Sequence, residues 1–345
     1  YFRQFLRNLS ESNLTEGEKY KIIRIFELNF AGSQPTHIRL RAMWGLYALN
    51  KKISESWLND PNENIRAWII RLMMDDKPID TLFGPRQKAL PNTNLELVQK
   101  LVQQAQEDTS GLVRLTLASS LQRLPVEYRA ELAKALAFHS EDRNDHNLPI
   151  VLWAGITPLV ELDPEKLLEV ARITEWSNLR TWIARAITER SKEAPSAFGA
   201  LLKLLGDQPD QADSLLAGIE RAVLGIKGFQ QPINWNEISS KLRGNPNALK
   251  LSVLFGDEDA IGQMEKLVMN PDVGIEVRRQ TMKILIDSNS PNLKSISEKL
   301  LKNLEMKIWA VRGLSKFEDN GTGEMLVSSL KDFDGEGRDE VVEIL

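Results

Sequence analysis

Cysteine is absent from all 345 residues. That removes disulfides, thiolate metal sites, cysteine nucleophiles and c-type haem attachment from this chain, and leaves its compartment open. No apolar run approaches the ~20 residues that a membrane span needs, and no secretory leader is visible at the start. The HExxH helix, the phosphate-cradling glycine loop and the GxSxG nucleophile elbow are all missing. Convincing runs of alternating β-branched residues are missing too, so strand signals are poor. A strong basic balance is also lacking. The formal net charge is −4, where nucleic-acid binders usually carry a basic stripe. Charge is uneven, however: residues 317–345 hold nine acids against two bases, net −7, which leaves about +3 for the rest.

What the chain does have is 42% hydrophobic and 27% charged residues, a globular balance. One motif recurs along it: a turn residue, a short polar stretch, an aliphatic residue, often arginine, then apolar residues at helical spacing. It appears at His37–Trp44, Asp60–Trp68, Asp108–Leu115, Ser177–Trp182 and Asn270–Arg278, with weaker copies near Asn147, Gln211, Asn247, Lys307 and Asp334. Asp, Asn or Ser at the turn can accept hydrogen bonds from the free N–H groups of a helix start. Pro at the first turn costs no bond that was otherwise made. The three- and four-residue spacing then builds one buried stripe. A second amphipathic helix follows, as at Val126–Phe138, Pro164–Ile173, Ala260–Val268 and Leu293–Leu301. Such a pair buries its stripe only against neighbours. The expected fold is all-α: an α-solenoid, or superhelix, of about nine or ten HEAT-like, armadillo-type helical pairs. Residues 1–345 are expected to form one such array. Leu117 and Leu121, four apart, are expected to face its core. Two stretches interrupt the pattern, residues 75–93 with Pro78, Pro85 and Pro91, and residues 225–234 with Gly225, Gly228 and Pro232. Long loops of this kind carry function or simply tolerate insertion.

The stretch Arg114-Leu115-Thr116-Leu117-Ala118-Ser119-Ser120-Leu121-Gln122-Arg123-Leu124-Pro125 is followed by His139, Glu141, Asp142, Asp145 and then Asn147-Leu148-Pro149-Ile150-Val151-Leu152-Trp153. Together they resemble the HEAT-repeat region of planctomycete-type membrane-bound dehydrogenases, also called haem-binding CxxCH proteins. The resemblance is strongest over residues 36–190 and fades beyond about 230. That family joins a sugar-dehydrogenase-like β-propeller, a HEAT-repeat segment and a c-type cytochrome. The resemblance therefore implies a middle module of an exported oxidoreductase-like protein, periplasmic or otherwise extracytoplasmic. This chain has neither propeller nor CxxCH site, so none of the family's redox residues has a counterpart here. A start at Tyr1 and an apolar finish at Val341–Leu345 look like cuts from a longer protein.

Several clusters invite a chemical reading. Asp332-Phe333-Asp334-Gly335-Glu336-Gly337 with Glu343 nearly matches a calcium loop, in which alternate oxygens converge on one ion. Glu336 is too long for its place and Asp339 stands where an aliphatic residue belongs, so a repeat turn leading into a helix is preferred. His139, Glu141, Asp142, Asp145 and His146 offer metal-ligand chemistry, yet polar turns and acids near a helix start are ordinary. Five tryptophans, Trp44, Trp68, Trp153, Trp182 and Trp309, sit in motif helices. They either fill the core between repeats or form an interaction surface, for which Trp44, Trp68, Trp153 and Trp182 are the candidates. The recurrent Arg39, Arg66, Arg114, Arg180 and Arg278 suggest a structural ladder to acids or carbonyls of neighbouring turns. A phosphate track, as in HEAT-like DNA glycosylases, is the alternative.

The expected function is a non-catalytic scaffold with no catalytic, cofactor-binding or metal residues of its own. Its expected partners are neighbouring domains or another protein. A nucleic-acid-binding or DNA-glycosylase-type solenoid is the alternative, disfavoured by the charge balance.

Overall fold

The computed structural model describes residues 2–80, 94–225 and 229–344. Among these residues every regular element is helical and no strand occurs, so the chain is all-α. Most of the 75–93 loop and residues 226–228 of the second interruption lie outside the described residues.

The chain divides into two compact units, Tyr1–Ile183 and Ala184–Leu345. The helices that begin before the division are α1 (Phe2–Glu11), α2 (Glu16–Ala31), α3 (Thr36–Ala48), α4 (Glu63–Met73), α5 (Leu95–Glu107), α6 (Gly111–Ser120), α7 (Val126–Ala137), α8 (Leu148–Ile156), α9 (Leu159–Leu162), α10 (Pro164–Ile173) and α11 (Ser177–Glu189). Those after it are α12 (Pro195–Asp207), α13 (Ala212–Gly225), α14 (Trp235–Lys241), α15 (Pro246–Leu254), α16 (Glu258–Met269), α17 (Ile275–Asp287), α18 (Leu293–Leu300), α19 (Lys307–Leu314), α20 (Asn320–Ser329) and α21 (Gly335–Ile344).

Side-chain caps fix many of the starts. Asn62 Oδ1 accepts the N–H groups of Asn64 and Ile65, Ser110 Oγ that of Val113, and Asp163 Oδ1 that of Lys166 ahead of Pro164. Thr15 and Glu18 form a reciprocal capping box on α2. Each cap contributes about 1 kcal/mol. Three motif helices stop in one way. Asn50, Gly256 and Asn289 adopt positive φ, and the next N–H folds back: Lys51 to Leu46 O, Asp257 to Ser252 O and Ser290 to Leu285 O, each at 3.0 Å. This left-handed closure uses up orphan carbonyls at the helix end.

Packing follows chain order within each unit. In the first, α3, α4, α6 and α8 lie side by side, while α5, α7 and α10 form a second row against them. In the second, α13, α15, α17, α19 and α21 make one row, and α16 and α18 pack beside it. Leu117, Leu121, Leu132, Leu136, Leu152 and Ile156 are fully buried in the first unit. Met282, Leu285, Met306 and Ala310 anchor one core of the second, and Val311, Leu314, Phe333 and Val341 belong to another. Burying each large aliphatic side chain stabilises by about 1.5–3 kcal/mol. Gly155 permits a close approach: a Cβ there would lie 2.4 Å from Leu121 Cβ.

Candidate functional site

The geometry of the first unit is organised by three arginines at the fourth position of α3, α4 and α6. Arg39 Nε donates to Phe30 O at 2.9 Å, and its terminal nitrogens grip the Asp60 carboxylate. Arg66 Nη1 donates to Asp60 O at 2.8 Å, while Nε and Nη2 donate to the Asp108 carboxylate at 2.7 Å each. Arg114 Nη1 donates to Asp108 O at 2.8 Å, while Nε and Nη2 hold the Asp142 carboxylate. Each repeat's arginine thus reaches forward to the next turn's carboxylate. The carbonyls of Asp60 and Asp108 receive the arginine of their own repeat. Bidentate pairing suits the flat guanidinium and fixes its direction. Burial alone would raise the Asp108 carboxyl. Arg66, the Ser110 N–H and Gln104 outweigh it and hold the group below the usual carboxylate range. Arg180 and Arg278 make the backward bond of this pattern, to Ala171 O at 2.7 Å and Val268 O at 2.9 Å.

Tryptophan takes the sixth position of α4, α8 and α11, as Trp68, Trp153 and Trp182. Positions four and six are about 200° apart around a helix, so these rings point away from the arginine ladder. Trp44, at the ninth position of α3, meets Trp68 edge-on with ring centroids 4.8 Å apart. Trp153 and Trp182 lie 6.2 Å apart at 41°. All four, and Trp309 in the second unit, are partly exposed, not sealed in a core. Arg71 lays its guanidinium over Trp68 at 5.0 Å, and Arg312 over Trp309 at 4.6 Å. The tryptophans that do fill the interior are Trp176 and Trp235, which the repeat motif did not single out. Their indole N–H groups donate to His139 O at 2.9 Å and Ser252 Oγ at 2.8 Å.

Four of the five residues with metal-ligand chemistry are taken up in other bonds. His139 contacts Ala105 O at 2.8 Å and Glu141 at 3.0 Å, Asp142 holds Arg114, and Asp145 caps α8 through the N–H groups of Asn147 and Leu148. Among the described residues no three His, Asp or Glu side chains converge as a metal site. At the acidic end, Phe333 and Val341 are buried and α21 begins at Gly335. Glu343 therefore lies about 12 Å along the helix from Gly335, as a repeat turn leading into a helix requires.

Two features were not foreseen. The start of the long loop, residues 74–80, is tied to the α6–α7 turn. Arg123 Nη1 donates to the carbonyls of Met74 and Lys77, and the Asp80 N–H to Gln122 O at 2.7 Å. Asp80 also pairs with fully buried Arg129 at 2.9 Å, whose other nitrogens donate to Leu124 O and Gly155 O. Nearby, burial and then the hydrogen bond to Asp75 push the Tyr47 hydroxyl up to about 12. The second feature is a groove of about 780 Å³ beside the short 3-10 turn Glu55–Asn59, facing α5. Lys100 spans Glu55 and Glu96 there, and both carboxylates raise its ammonium above the usual range.

No family model, curated protein or solved structure matches the chain. No helix among the described residues is long and apolar enough to cross a membrane.

Proposed function

We propose that the chain is a HEAT-like α-solenoid scaffold that binds protein through the tryptophan-bearing side of its motif helices. The observation that carries this reading is positional. Trp68, Trp153 and Trp182 recur at one helix position, partly exposed, on the side opposite the arginine ladder. Aromatic rings held by packing on one side and open on the other are the usual anchors of protein interfaces. The ladder fixes the helices that present them, so little order has to be gained on binding. The nucleic-acid alternative rested on the arginines as phosphate contacts. The guanidiniums of Arg39, Arg66 and Arg114 are committed to Asp60, Asp108 and Asp142, which favours a protein partner. By its resemblance to the dehydrogenase–cytochrome family, the scaffold would serve as an extracytoplasmic middle segment that spaces neighbouring domains, with no chemistry of its own. Reading the complete gene tests that placement: a propeller upstream and a CxxCH downstream support it, and neither would remove it. The docking role is tested by selecting peptides from a displayed library on the folded chain. Selected peptides should lose binding to Trp44→Ala and Trp68→Ala variants that keep the parent circular dichroism. Peptides indifferent to all four tryptophans would refute the surface.

A further inference from the structure

Resting on that reading, we infer that the α6–α8 part of the tryptophan-bearing side docks a second copy of this chain. On α6, Leu112, Leu115 and Ser119 follow one another at i, i+3 and i+7, and Ile150, Trp153 and Thr157 repeat that spacing along α8 into its C-cap. Each set therefore forms one stripe. The opposite sides are sealed: Val113 and Leu117 on α6, and Leu148, Leu152 and Ile156 on α8, are buried. Helix α6 packs on α4, α5, α7 and α8, and α8 packs on α6, α7 and the turns Leu121–Arg123 and Ser140–Asn144. Ile150 stays 56% exposed beside all of these, and Leu112, Leu115 and Trp153 are partly exposed. Trp182 of α11 continues the apolar surface beyond Trp153.

These two stripes carry no charge, in a chain of which 27% is charged. Helix α8 has no ionisable residue, and the single one of α6, Arg114, is buried against Asp142. The polar groups that end the stripes are already bonded. The Ser119 hydroxyl donates to Leu115 O at 3.0 Å and the Thr157 hydroxyl to Trp153 O at 2.8 Å. Covering them strands no donor. Charge then decides the occupant. A partner steered and registered by charge needs opposite charge on this face and finds none. A lipid surface is met by Lys and Arg beside the apolar side chains, and the stripes have neither. A twofold contact sets the same patch of each copy against the other. A charged patch repels its own image there, whereas a neutral apolar one does not, and homodimer interfaces are accordingly more apolar than other contacts. The patch spans about three helices at 8–10 Å each, so the expected contact is small and reversible, not permanent.

Sedimentation velocity of the full chain over rising micromolar concentration tests this. The average mass should climb towards that of a dimer, and added sodium chloride should not reverse the rise, because no ion pair is screened. Ile150→Glu buries a carboxylate beside its own image and should weaken the dimer roughly tenfold or more, as should Leu115→Glu. Ile150→Ser, which adds no charge, should weaken it by a smaller factor. Lys21→Glu, on exposed α2 surface, should leave it unchanged. Circular dichroism checks that each variant is folded. A chain that stays monomeric at every concentration overturns the inference, and selected peptides that still need the tryptophans would then leave the docking role intact. A dimer that survives both glutamate variants, or that dissociates in salt, also overturns it, because the contact then lies elsewhere. A monomer that floats with phosphatidylcholine vesicles, and no longer does so as Ile150→Glu, overturns it in favour of a lipid surface.

Discussion

In Tyr1–Ile183 three turns ahead of motif helices carry an aspartate: Asp60 before α4, Asp108 before α6, Asp142 before α8. In Ala184–Leu345 three such turns carry asparagine: Asn245 before α15, Asn270 before α17, Asn303 before α19. Both residues make the same local turn. Asp60 and Asp108 accept the N–H two residues on at 2.9 Å, as do Asn245 and Asn270, and Asn303 does so at 3.1 Å. The turn needs only an oxygen at that spacing. A carboxylate adds a second bond set, to the arginine of the preceding repeat. In the second unit Arg278 and Arg338 bond backward, to Val268 O and Leu330 O, and among the described residues neither pairs with a carboxylate. Local structure and cross-repeat clamping are therefore separable, and the clamping lies in the unit that carries the proposed docking face.

The largest expected effect separates the two units directly. Asp108→Ala leaves a partly buried guanidinium without its carboxylate, which costs about 3–5 kcal/mol. Asn270→Ala removes one turn hydrogen bond and should cost about 1 kcal/mol. Urea unfolding of the two variants checks this, and equal losses would erase the distinction. The cores should not differ. Leu121→Ala and Leu285→Ala both empty fully buried sites and should each cost about 2–5 kcal/mol. A deficit found only in the first unit would mean that packing, not the ladder, sets the units apart. Close approaches give a smaller contrast. Gly155→Ala drives a methyl against Leu121 Cβ, which is fixed to backbone, and should cost about 1–3 kcal/mol. Gly313→Ala meets Ser297 Oγ and Met282 Cε, side-chain ends that can turn away, and should be milder in the same thermal melt.

The smallest effect is a pH dependence. Asp108 is held below its ordinary value in the folded chain. Its stabilisation is present above the unfolded value of about 3.9 and fades as pH falls through the lowered folded one. Asn270 does not titrate. Amide exchange in α6 should therefore accelerate on acidification before exchange in α17 does, and simultaneous loss would contradict the contrast. In the second unit Asp319, exposed, is held to about 2 by Lys294 and the Thr322 cap bonds, and Asp213 is held below the usual range by Asn245 and Asn247.

Much of this was readable from the residues. Turn residue, cap and helical spacing located helices such as Pro164–Ile173 to the residue, and Leu117 and Leu121 are buried as their spacing requires. The recurrent arginines declared a ladder, because a cation fixed at the fourth helix position can reach only neighbouring turns. Which acids it would find was not legible: Asp108 lies 42 residues from Arg66, and the intervening loop hides the register. Tryptophan position was ambiguous for a different reason. Periodicity reports the stripe that a helix buries, but a large ring at the edge of that stripe is only half-covered. Buried Trp176 and Trp235 stand next to helix starts, where no periodic pattern marks them. Arg129 was missed because a charged residue reads as surface until its partners, Asp80 and two carbonyls, are in place.

The proposed docking role stands or falls most directly on a footprint. Hydrogen exchange of the full chain should be compared with and without a library-selected peptide. The scaffold reading predicts slowed exchange in α3 and α4, residues 36–48 and 63–73, with the second unit unaffected. Protection confined to residues 94–107, beside the Lys100 groove, or to the acidic stretch after residue 317, would contradict it.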